Sequence, residues 1–148
     1  MKIFNIWKEE DRELIVKGWG HERILTNSEK YCGKEMLLYK DKRCSVHYHR
    51  LKTEHFLVVS GSMFVELYDK PFEIPEGEDY WSVVDKLTYE GKLQWRGAQM
   101  YAGDSILVSP LIPHRFIGIE EETKFIEFST QDFADDSYRI YPGDSQNV

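Results

Sequence analysis

The sequence lacks the run of about 18 consecutive apolar residues that a membrane-spanning helix needs. Its opening stretch, MKIFNIWKEEDRELIVKGWG, is interrupted by charged residues too early to form the apolar core of a signal peptide. We therefore expect no membrane partner and a cytoplasmic location.

Positive charge is also scarce. The 148 residues include 19 Lys and Arg against 26 Asp and Glu, which gives a formal net charge of −7. Binding to a phosphate backbone requires a clustered positive surface. The composition therefore argues against a nucleic-acid partner.

Cysteine is rare, since Cys32 and Cys44 are the two that the sequence contains. Two cysteines are too few for a disulfide scaffold, and their spacing matches no zinc knuckle. We expect two buried thiols, because free cysteine behaves as a small hydrophobic residue. A disulfide between them stays open if their strands pair.

No long segment shows the 3.6-residue periodicity of a helix. Short runs rich in β-branched and aromatic residues follow one another instead, bounded by clusters of Gly, Pro, Asp or Lys. Without helices to cover a parallel sheet, such strands pack as an antiparallel sandwich or barrel. A chain of this length forms about one domain. We therefore predict a single all-β domain over residues 1–148.

Two segments depart from this strand pattern. Residues 69–93 combine prolines, glycines and many charges, and they predict a long excursion with a helical turn near residues 79–87. Such a segment is either functional or mobile, or it covers a sheet edge. Residues 131–148 form an acidic, turn-rich tail with few apolar residues to pack.

The stretch SVHYHRLKTEHFLVVSG, residues 45–61, concentrates side chains that bind metals. On a strand, alternate residues share a face, so His47 and His49 point to the same side. The polar residues that follow turn the chain, and Glu54 then begins a strand that Gly61 ends. If the two strands share a face, Glu54 is a third ligand.

A fourth ligand is expected from His114, which follows a short strand and a proline-rich turn. His55 falls on the opposite face from Glu54, so we expect it to be exposed or packed. Imidazole and carboxylate together suit one divalent transition metal ion, which is zinc, manganese, iron, nickel or cobalt. The alternative for any single histidine is an ordinary structural role.

These residues resemble the two signature motifs of the cupin superfamily, G-x5-H-x-H-x3,4-E-x6-G and G-x5-P-x-G-x2-H-x3-N. The resemblance implies a small antiparallel double-stranded jelly-roll barrel, with His47, His49, Glu54 and His114 as the four metal ligands. The departures from the motifs change turn residues and leave the ligands intact. They are Asp41, Ile112 and Gly118 in place of Gly, Gly and Asn, and Pro110 displaced by one position.

A narrower likeness extends along most of the chain. The segments KGWGHERIL, HRLKTEHFLVVSG, IPHRF and FIEFSTQDFADDSYRI resemble the cupin domain of type II phosphomannose isomerases, and HYHRLKTE resembles D-lyxose-type sugar isomerases. Both families interconvert aldoses and ketoses. The likeness therefore implies a sugar or sugar-phosphate substrate of the mannose or lyxose type.

The resemblance also suggests roles for residues beyond the ligands. Glu127 matches the proposed general base, although an outward glutamate on a solvated face is an equal alternative. Lys52 is placed to donate to a sugar or phosphate oxygen, or is simply an exposed turn lysine. Lys34 is a candidate acid for protonating O1 if it is buried.

Two arginines are candidates for binding a substrate phosphate, because guanidinium pairs with phosphate in a bidentate manner. Arg139 matches the tail arginine of the isomerases, and Arg115 directly follows the fourth ligand. A salt bridge to Asp135 or Asp136 explains Arg139 equally well.

Three functions stay open on the sequence alone. The first is a metal-dependent aldose–ketose isomerase, which requires an acid–base pair beside the metal. The others are a non-catalytic module that binds a carbohydrate or metabolite at the metal, and an iron-dependent cupin dioxygenase. We also expect a homodimer, because cupins commonly pair N-terminal strands and residues 1–7 form an apolar strand candidate.

Overall fold

The computed structural model of the chain describes residues 4 and 6–146. Within this part the regular elements are strands, apart from a short 3-10 helix and one α-helix. In chain order, the elements are the 3-10 helix Glu9–Asp11, β1 Leu14–Lys17, β2 Gly20–Asn27, β3 Cys32–Tyr39, β4 Val46–Tyr48, β5 Glu54–Ser60, β6 Ser62–Tyr68, α1 Tyr80–Tyr89, β7 Trp95–Tyr101, β8 Ser105–Val108, β9 His114–Gly118, β10 Glu122–Ser129 and β11 Tyr138–Tyr141.

The strands form two antiparallel sheets, which confirms the predicted all-β class. One sheet has the order β1-β2-β3-β10-β5-β8 and the other has the order β11-β4-β9-β6-β7. The pairs β1-β2, β2-β3 and β6-β7 are consecutive in sequence, whereas the other neighbours, such as β3-β10 and β4-β9, are distant, as in a double-stranded jelly roll. None of the helical segments in the described residues has the length and apolar character needed to cross a bilayer.

The core lies between the sheets and centres on an aromatic triad. Phe56 of β5 packs against Phe116 of β9 with ring centroids 4.6 Å apart, and Phe125 of β10 lies 5.3 Å from Phe116. Burial of a phenylalanine side chain contributes roughly 1.5–3 kcal/mol. The triad forms the apolar support beneath the candidate site.

Strand β10 lies at the middle of the larger sheet, between β3 and β5. Its residues alternate in burial, with Thr123, Phe125 and Glu127 directed inward. In the register, Glu127 lies opposite Lys34 of β3 and Phe56 of β5. Glu127 therefore points into the space between the sheets, and the outward alternative is wrong.

The excursion predicted over residues 69–93 contains a helix of 10 residues, longer than the single turn expected. Asp79 caps its N-terminus, since the carboxylate accepts a hydrogen bond of 3.0 Å from the Ser82 amide. The excursion is closed at its base, where Asp69 and Gln94 exchange backbone and side-chain hydrogen bonds of 3.0 and 2.9 Å.

The acidic tail contains β11, a strand that the sequence pattern did not predict. Tyr138 lies opposite Tyr48 of β4, and the two rings stack with centroids 5.1 Å apart. Cys32 and Cys44 are both buried and free, as expected. The predicted N-terminal strand includes residues 1–3 and 5, which lie outside the described residues, so the homodimer stays a prediction.

Two residues, one at a position that departs from the cupin motifs and one beside such a position, have positive φ angles. Asp41, which replaces the first glycine, has a φ of 62°, and Leu111, beside the replaced glycine at Ile112, has a φ of 67°. Aspartate tolerates this left-handed region, whereas leucine is strained there. The loop is nonetheless tied to the site, because the Leu111 amide donates to the His49 carbonyl at 2.7 Å.

Two glycines provide a matched test of the turn that ends β5. Gly61 and Gly91 both have positive φ values, 82° and 70°. A Cβ at Gly61 would lie 2.6 Å from the Glu122 carbonyl oxygen, whereas a Cβ at Gly91 would meet nothing within 4 Å. We expect Gly91→Ala to lower the free energy of unfolding by about 1 kcal/mol, from the backbone alone. Gly61→Ala should cost an additional ~1–3 kcal/mol through overpacking. Denaturant unfolding measures both, and equal losses would contradict the tight fit at Gly61.

Candidate metal centre

Three histidines converge where the two sheets face each other. His47 of β4 and His114 of β9 are direct cross-strand partners, and His49 follows β4 by one residue. One ring nitrogen from each histidine lies within 4.8 Å of the others. Glu54 reaches the same point from β5, which belongs to the opposite sheet. The cluster therefore bridges the sandwich.

Each imidazole is oriented by a backbone carbonyl. Nδ1 donates in every case, and the acceptors are Ser45 O for His47 at 2.9 Å, Asp136 O for His49 at 2.7 Å and Ile112 O for His114 at 2.9 Å. A carbonyl oxygen only accepts, so Nδ1 carries the proton and a neutral ring keeps its lone pair on Nε2. This is the orientation that metal-binding histidines adopt.

The Glu54 carboxylate faces two of these nitrogens. Its Oε1 lies 3.2 Å from His49 Nε2, and its Oε2 lies 3.1 Å from His114 Nε2. Although these separations fall within ion-pair range, both Nε2 atoms and Oε2 are buried without an aligned hydrogen-bond partner. Buried polar atoms without partners are rare and costly. A carboxylate against two lone pairs is favourable only with a proton or a cation between them.

The donor set fits a divalent cation. Nitrogen and carboxylate ligands bind such ions at about 2.1 Å, which sets neighbouring ligand atoms about 3.0–3.4 Å apart. The two distances from Glu54 to the imidazoles lie in that range. His47, His49 and His114 are therefore positioned for a metal ion. Which ion binds depends on the coordination number and on metal availability.

The protonation states of the cluster follow from its burial and its charges. Burial, together with the neighbouring rings of His114 and His49, holds the pKa of His47 well below its usual range. Burial also lowers the pKa of His49, but the Glu54 carboxylate, 3.2 Å from Nε2, outweighs it and the net shift is upward. For Glu54, His114 and His49 outweigh burial, so its pKa lies well below the ordinary value. Glu54 is therefore ionised, and His47 is neutral.

A buried lysine joins the cluster to three carboxylates. Lys52 is 4% exposed. Its Nζ lies 2.9 Å from Glu54 Oε1, 3.3 Å from Glu127 Oε2 and 2.9 Å from Asp132 Oδ1. These carboxylates outweigh burial and raise the pKa of Lys52, which stays protonated. The alternative of an exposed turn lysine is wrong.

A second buried lysine extends the network away from the histidines. Lys34 Nζ lies 3.0 Å from Asp132 Oδ2 and 3.8 Å from Glu22 Oε2. Burial lowers its pKa, but the carboxylates of Glu127 and Glu22 outweigh this and raise it. Lys34 therefore keeps its proton, which favours hydrogen-bond donation over release of the proton to a substrate oxygen.

The connected network carries an excess of negative charge. Counted as ionised, it holds four carboxylates, Glu22, Glu54, Glu127 and Asp132, against the ammonium groups of the two lysines. Two negative charges therefore remain beside three imidazoles, in a region of low dielectric where unbalanced charge is costly. A single divalent cation neutralises the set.

Glu127 is the member of the network with the least compensation. Burial raises its pKa, and the nearby Glu54 carboxylate raises it further, although Lys52 and Lys34 act in the opposite direction. The Ser129 hydroxyl donates to Oε2 at 3.1 Å and helps to fix the carboxylate. Glu127 is therefore oriented and has a raised pKa, as a carboxylate that takes and returns protons requires.

These groups line a cavity of about 430 Å³. Pockets for small molecules occupy about 300–1,000 Å³. Of the residues singled out in the sequence, the cavity wall includes Lys34, His47, His49, Lys52, Glu54, Glu127 and Arg139. The aromatic triad forms part of the same wall, so the cavity is polar at the metal cluster and apolar beside it.

The two arginines have different positions. Arg139 of β11 lines the cavity and lies opposite His47 in the register. Arg115 lies on the other face of β9 from His114, and its Nε donates to Glu66 Oε2 at 2.6 Å. The structure therefore does not bring Arg115 to the site, because consecutive strand residues point to opposite faces. His55 is exposed, as expected.

Three acidic residues of the site were not predicted from the sequence. Glu22 and Asp132 complete the lysine network, and Asp136 holds the turn between His49 and Glu54. Asp132 is fixed by a reciprocal pair of hydrogen bonds with Asn27, each of 2.9 Å. Asp132 and Asp136 belong to the acid-rich tail, which a pattern of residue types does not distinguish from a solvated surface, and Glu22 lies on β2, outside the two cupin motifs.

Solved structures similar to this chain share its fold at low sequence identity. Oxalate decarboxylase of Lactobacillus farciminis, solved as a formate complex, gives a TM-score of 0.66 at 18% identity over 95% of this chain and 37% of that chain. The capsular polysaccharide assembling protein CapF of Staphylococcus aureus gives 0.65 at 13% identity over 88% and 34%. KdgF of Halomonas sp. gives 0.62 at 14% identity over 88% and 98%. The chain spans about a third of the first two proteins.

The fold and the histidine cluster define the class of the protein. The two antiparallel sheets around three converging histidines have the cupin fold, and these solved structures share that fold. A family profile described as "Mannose-6-phosphate isomerase C-terminal" matches residues 7–102. The chain therefore belongs to the mannose-6-phosphate isomerase C-terminal family. A search of curated proteins found no match.

The raised pKa of His49 predicts that metal binding displaces a proton. A metal needs the Nε2 lone pair, so affinity should fall as pH is lowered through that pKa, while the neutral His47 contributes nothing. In the metal-free protein, the contribution of His49 to folding stability has the opposite pH dependence to the metal affinity. The charged His49–Glu54 pair stabilises the fold below the unfolded pKa of about 6.5, and this contribution is lost as pH rises through the folded pKa.

Titration calorimetry in buffers of different ionisation enthalpy measures the released protons. We expect up to about one proton per metal near pH 6 and fewer at pH 8. The exposed His55 provides the matched control, since His55→Ala should leave the release unchanged. Release that does not vary with pH would contradict the assignment to His49.

Proposed function

We propose that the protein is a metal-dependent aldose–ketose isomerase that acts on a sugar or sugar phosphate of the mannose or lyxose type. The observation that carries the proposal is the position of Glu127, a buried carboxylate of raised pKa, in the cavity that His47, His49 and Glu54 also line. Membership of a family named for mannose-6-phosphate isomerase supports a sugar substrate. The matched residues end before His114 and Glu127, so the role of Glu127 rests on geometry.

In this proposal His47, His49, Glu54 and His114 hold one divalent ion, which is zinc, manganese, iron, nickel or cobalt. Such an ion, when bound, polarises the carbonyl and hydroxyl oxygens of a sugar as a Lewis acid. The chain's own contribution is to fix the ligands. The backbone carbonyls orient the imidazoles, and Lys52 holds Glu54 Oε1 at 2.9 Å.

Glu127 supplies the proton transfer. Aldose–ketose interconversion moves one proton between C1 and C2 and a second between O1 and O2. One base beside both carbons can take the first from one carbon and return it to the other, and a protonated lysine of the cavity can donate to one oxygen as it accepts the proton that the other loses. Glu127 is oriented by Ser129 and Lys52, and its raised pKa makes it a better proton acceptor than an ordinary carboxylate. The Glu127 side chain is itself buried, with 4% of the residue exposed.

The cationic residues bind the substrate. Lys52 and Lys34 stay protonated and donate hydrogen bonds to sugar oxygens. Arg139, exposed on the cavity wall, suits a phosphate or a terminal hydroxyl because its guanidinium can donate two parallel bonds. Arg115 is left out, since it pairs with Glu66 on the other face of β9.

The charged lining favours the isomerase over the dioxygenase alternative. An isomerase requires an acid–base pair and polar groups that bind hydroxyls, whereas a dioxygenase could function with the metal and an apolar pocket. A non-catalytic module that binds a carbohydrate at the metal would have the same ligands, and it is distinguished by the absence of turnover. A cytoplasmic location, a homodimer and the lack of a nucleic-acid partner remain predictions of the sequence.

The division of roles between the two central glutamates can be tested by elemental analysis. We expect purified Glu54→Ala to lose its metal, with affinity at least about tenfold weaker, because one ligand is gone. Glu127→Ala should retain the metal, since Glu127 contacts Lys52 and is not one of the proposed ligands. Glu35→Ala, at an exposed position of β3, is the control. Equal metal loss in the Glu54 and Glu127 variants would refute this division.

The activity itself is tested by incubating protein reconstituted with each of the five metals with D-lyxose, D-mannose and mannose 6-phosphate in D₂O. We expect a ketose product and, in the turnovers in which the proton on Glu127 exchanges with D₂O before it is returned, deuterium at the carbon that received it. Glu127→Gln should abolish both while keeping the metal, because the amide cannot accept the proton. A sugar that raises the melting temperature without forming ketose would establish the binding module instead.

A further inference from the structure

Asp136, in the tail before β11, lies at the base of the metal cluster although it is no ligand. It is 4% exposed. Its Oδ1 accepts from the amides of Arg50 and Leu51 at 2.9 and 3.2 Å. Its Oδ2 accepts from the amides of Leu51 and Lys52, both at 3.2 Å. Three consecutive backbone N–H groups thus converge on one carboxylate, as in an anion-binding nest.

The turn that Asp136 holds connects two of the proposed ligands. Residues 50–52 lie between His49, at the end of β4, and Glu54, at the start of β5. The turn crosses from one sheet to the other, so its conformation sets the separation of the imidazole and the carboxylate. It also carries Lys52, whose side chain contacts Glu54.

Asp136 acts on His49 by a second route. Its own carbonyl oxygen accepts from His49 Nδ1 at 2.7 Å. The side chain therefore fixes the turn after His49, while the main chain of the same residue fixes the plane and tautomer of the His49 ring. Its neighbour Asp135 is exposed and belongs to the same segment.

We propose that Asp136 is a positioning residue of the metal centre, which sets the metal affinity and coordination geometry by holding the 50–52 turn and the His49 ring together. The inference rests on the metal centre of the proposed function but not on isomerase activity. Groups that orient metal ligands typically affect affinity by about 10–100-fold.

The test uses Co²⁺ as the probe. Asp136→Asn keeps the shape of the side chain but places an amide N–H against the backbone N–H groups. We expect the dissociation constant for Co²⁺ to rise about 10–100-fold, with a changed visible absorption spectrum. Asp135→Asn is the matched control and should bind Co²⁺ as the wild type does. Affinity is measured at a temperature at which every variant is fully folded, so that a loss of stability alone leaves it unchanged.

Each outcome decides the proposal. If Asp136→Asn has wild-type affinity and spectrum, even with a lower melting temperature, Asp136 is merely structural and the proposal is overturned. If Asp136→Asn does not fold, Asp136→Glu, which displaces the carboxylate by one methylene, is judged by the same two readouts. If the wild type itself binds no Co²⁺, Zn²⁺ or Mn²⁺, the metal centre fails, and this inference fails with it.

Discussion

The contact on which the site depends is that of the Glu54 carboxylate with the Nε2 atoms of His49 and His114. These atoms are buried and lack aligned hydrogen-bond partners. Because the backbone carbonyls hold the Nδ1 protons on the far side of each ring, the lone pairs of neutral rings face the carboxylate. Such an arrangement is stable when positive charge lies between the groups. The two sheets supply opposite halves of this contact, so a bound cation would also join them.

The lysines explain how so many carboxylates are tolerated inside a small domain. A buried ion pair offsets its desolvation cost only with close geometry and additional hydrogen bonds. Lys52 meets this condition with three carboxylates, and Asp132 links it to Lys34. Glu127 remains the least compensated acid. The ion pairs that hold the candidate metal ligand Glu54 and those that shift the pKa of the candidate base Glu127 therefore belong to one network.

Strand periodicity made much of the site predictable. His47 and His49 are two residues apart, Glu54 is in phase with Phe56, and the proline-rich turn leads directly into His114. The same alternation argues against Arg115, because the residue after an inward ligand points outward. The helix in the excursion also had a local signal, in Asp79 three residues before Ser82.

The contacts of the C-terminal tail could not be predicted from strand periodicity. Asp132 and Asp136 act on residues about 80 positions earlier in the chain, and those contacts exist because β11 pairs with β4. No local pattern marks β11 as a partner of β4, since its four residues follow a stretch of acids and turns. Likewise, Asp41 replaces a motif glycine without loss of the turn, because aspartate accepts its positive φ.

The most direct measurement of the central claim is anomalous X-ray diffraction from crystals of the metal-loaded protein. The account predicts one strong anomalous peak, about 2.0–2.3 Å from the Nε2 atoms of His47, His49 and His114 and from a carboxylate oxygen of Glu54. A fully loaded protein whose peak lies elsewhere, or whose Glu54 carboxylate stays away from the ion, would contradict it.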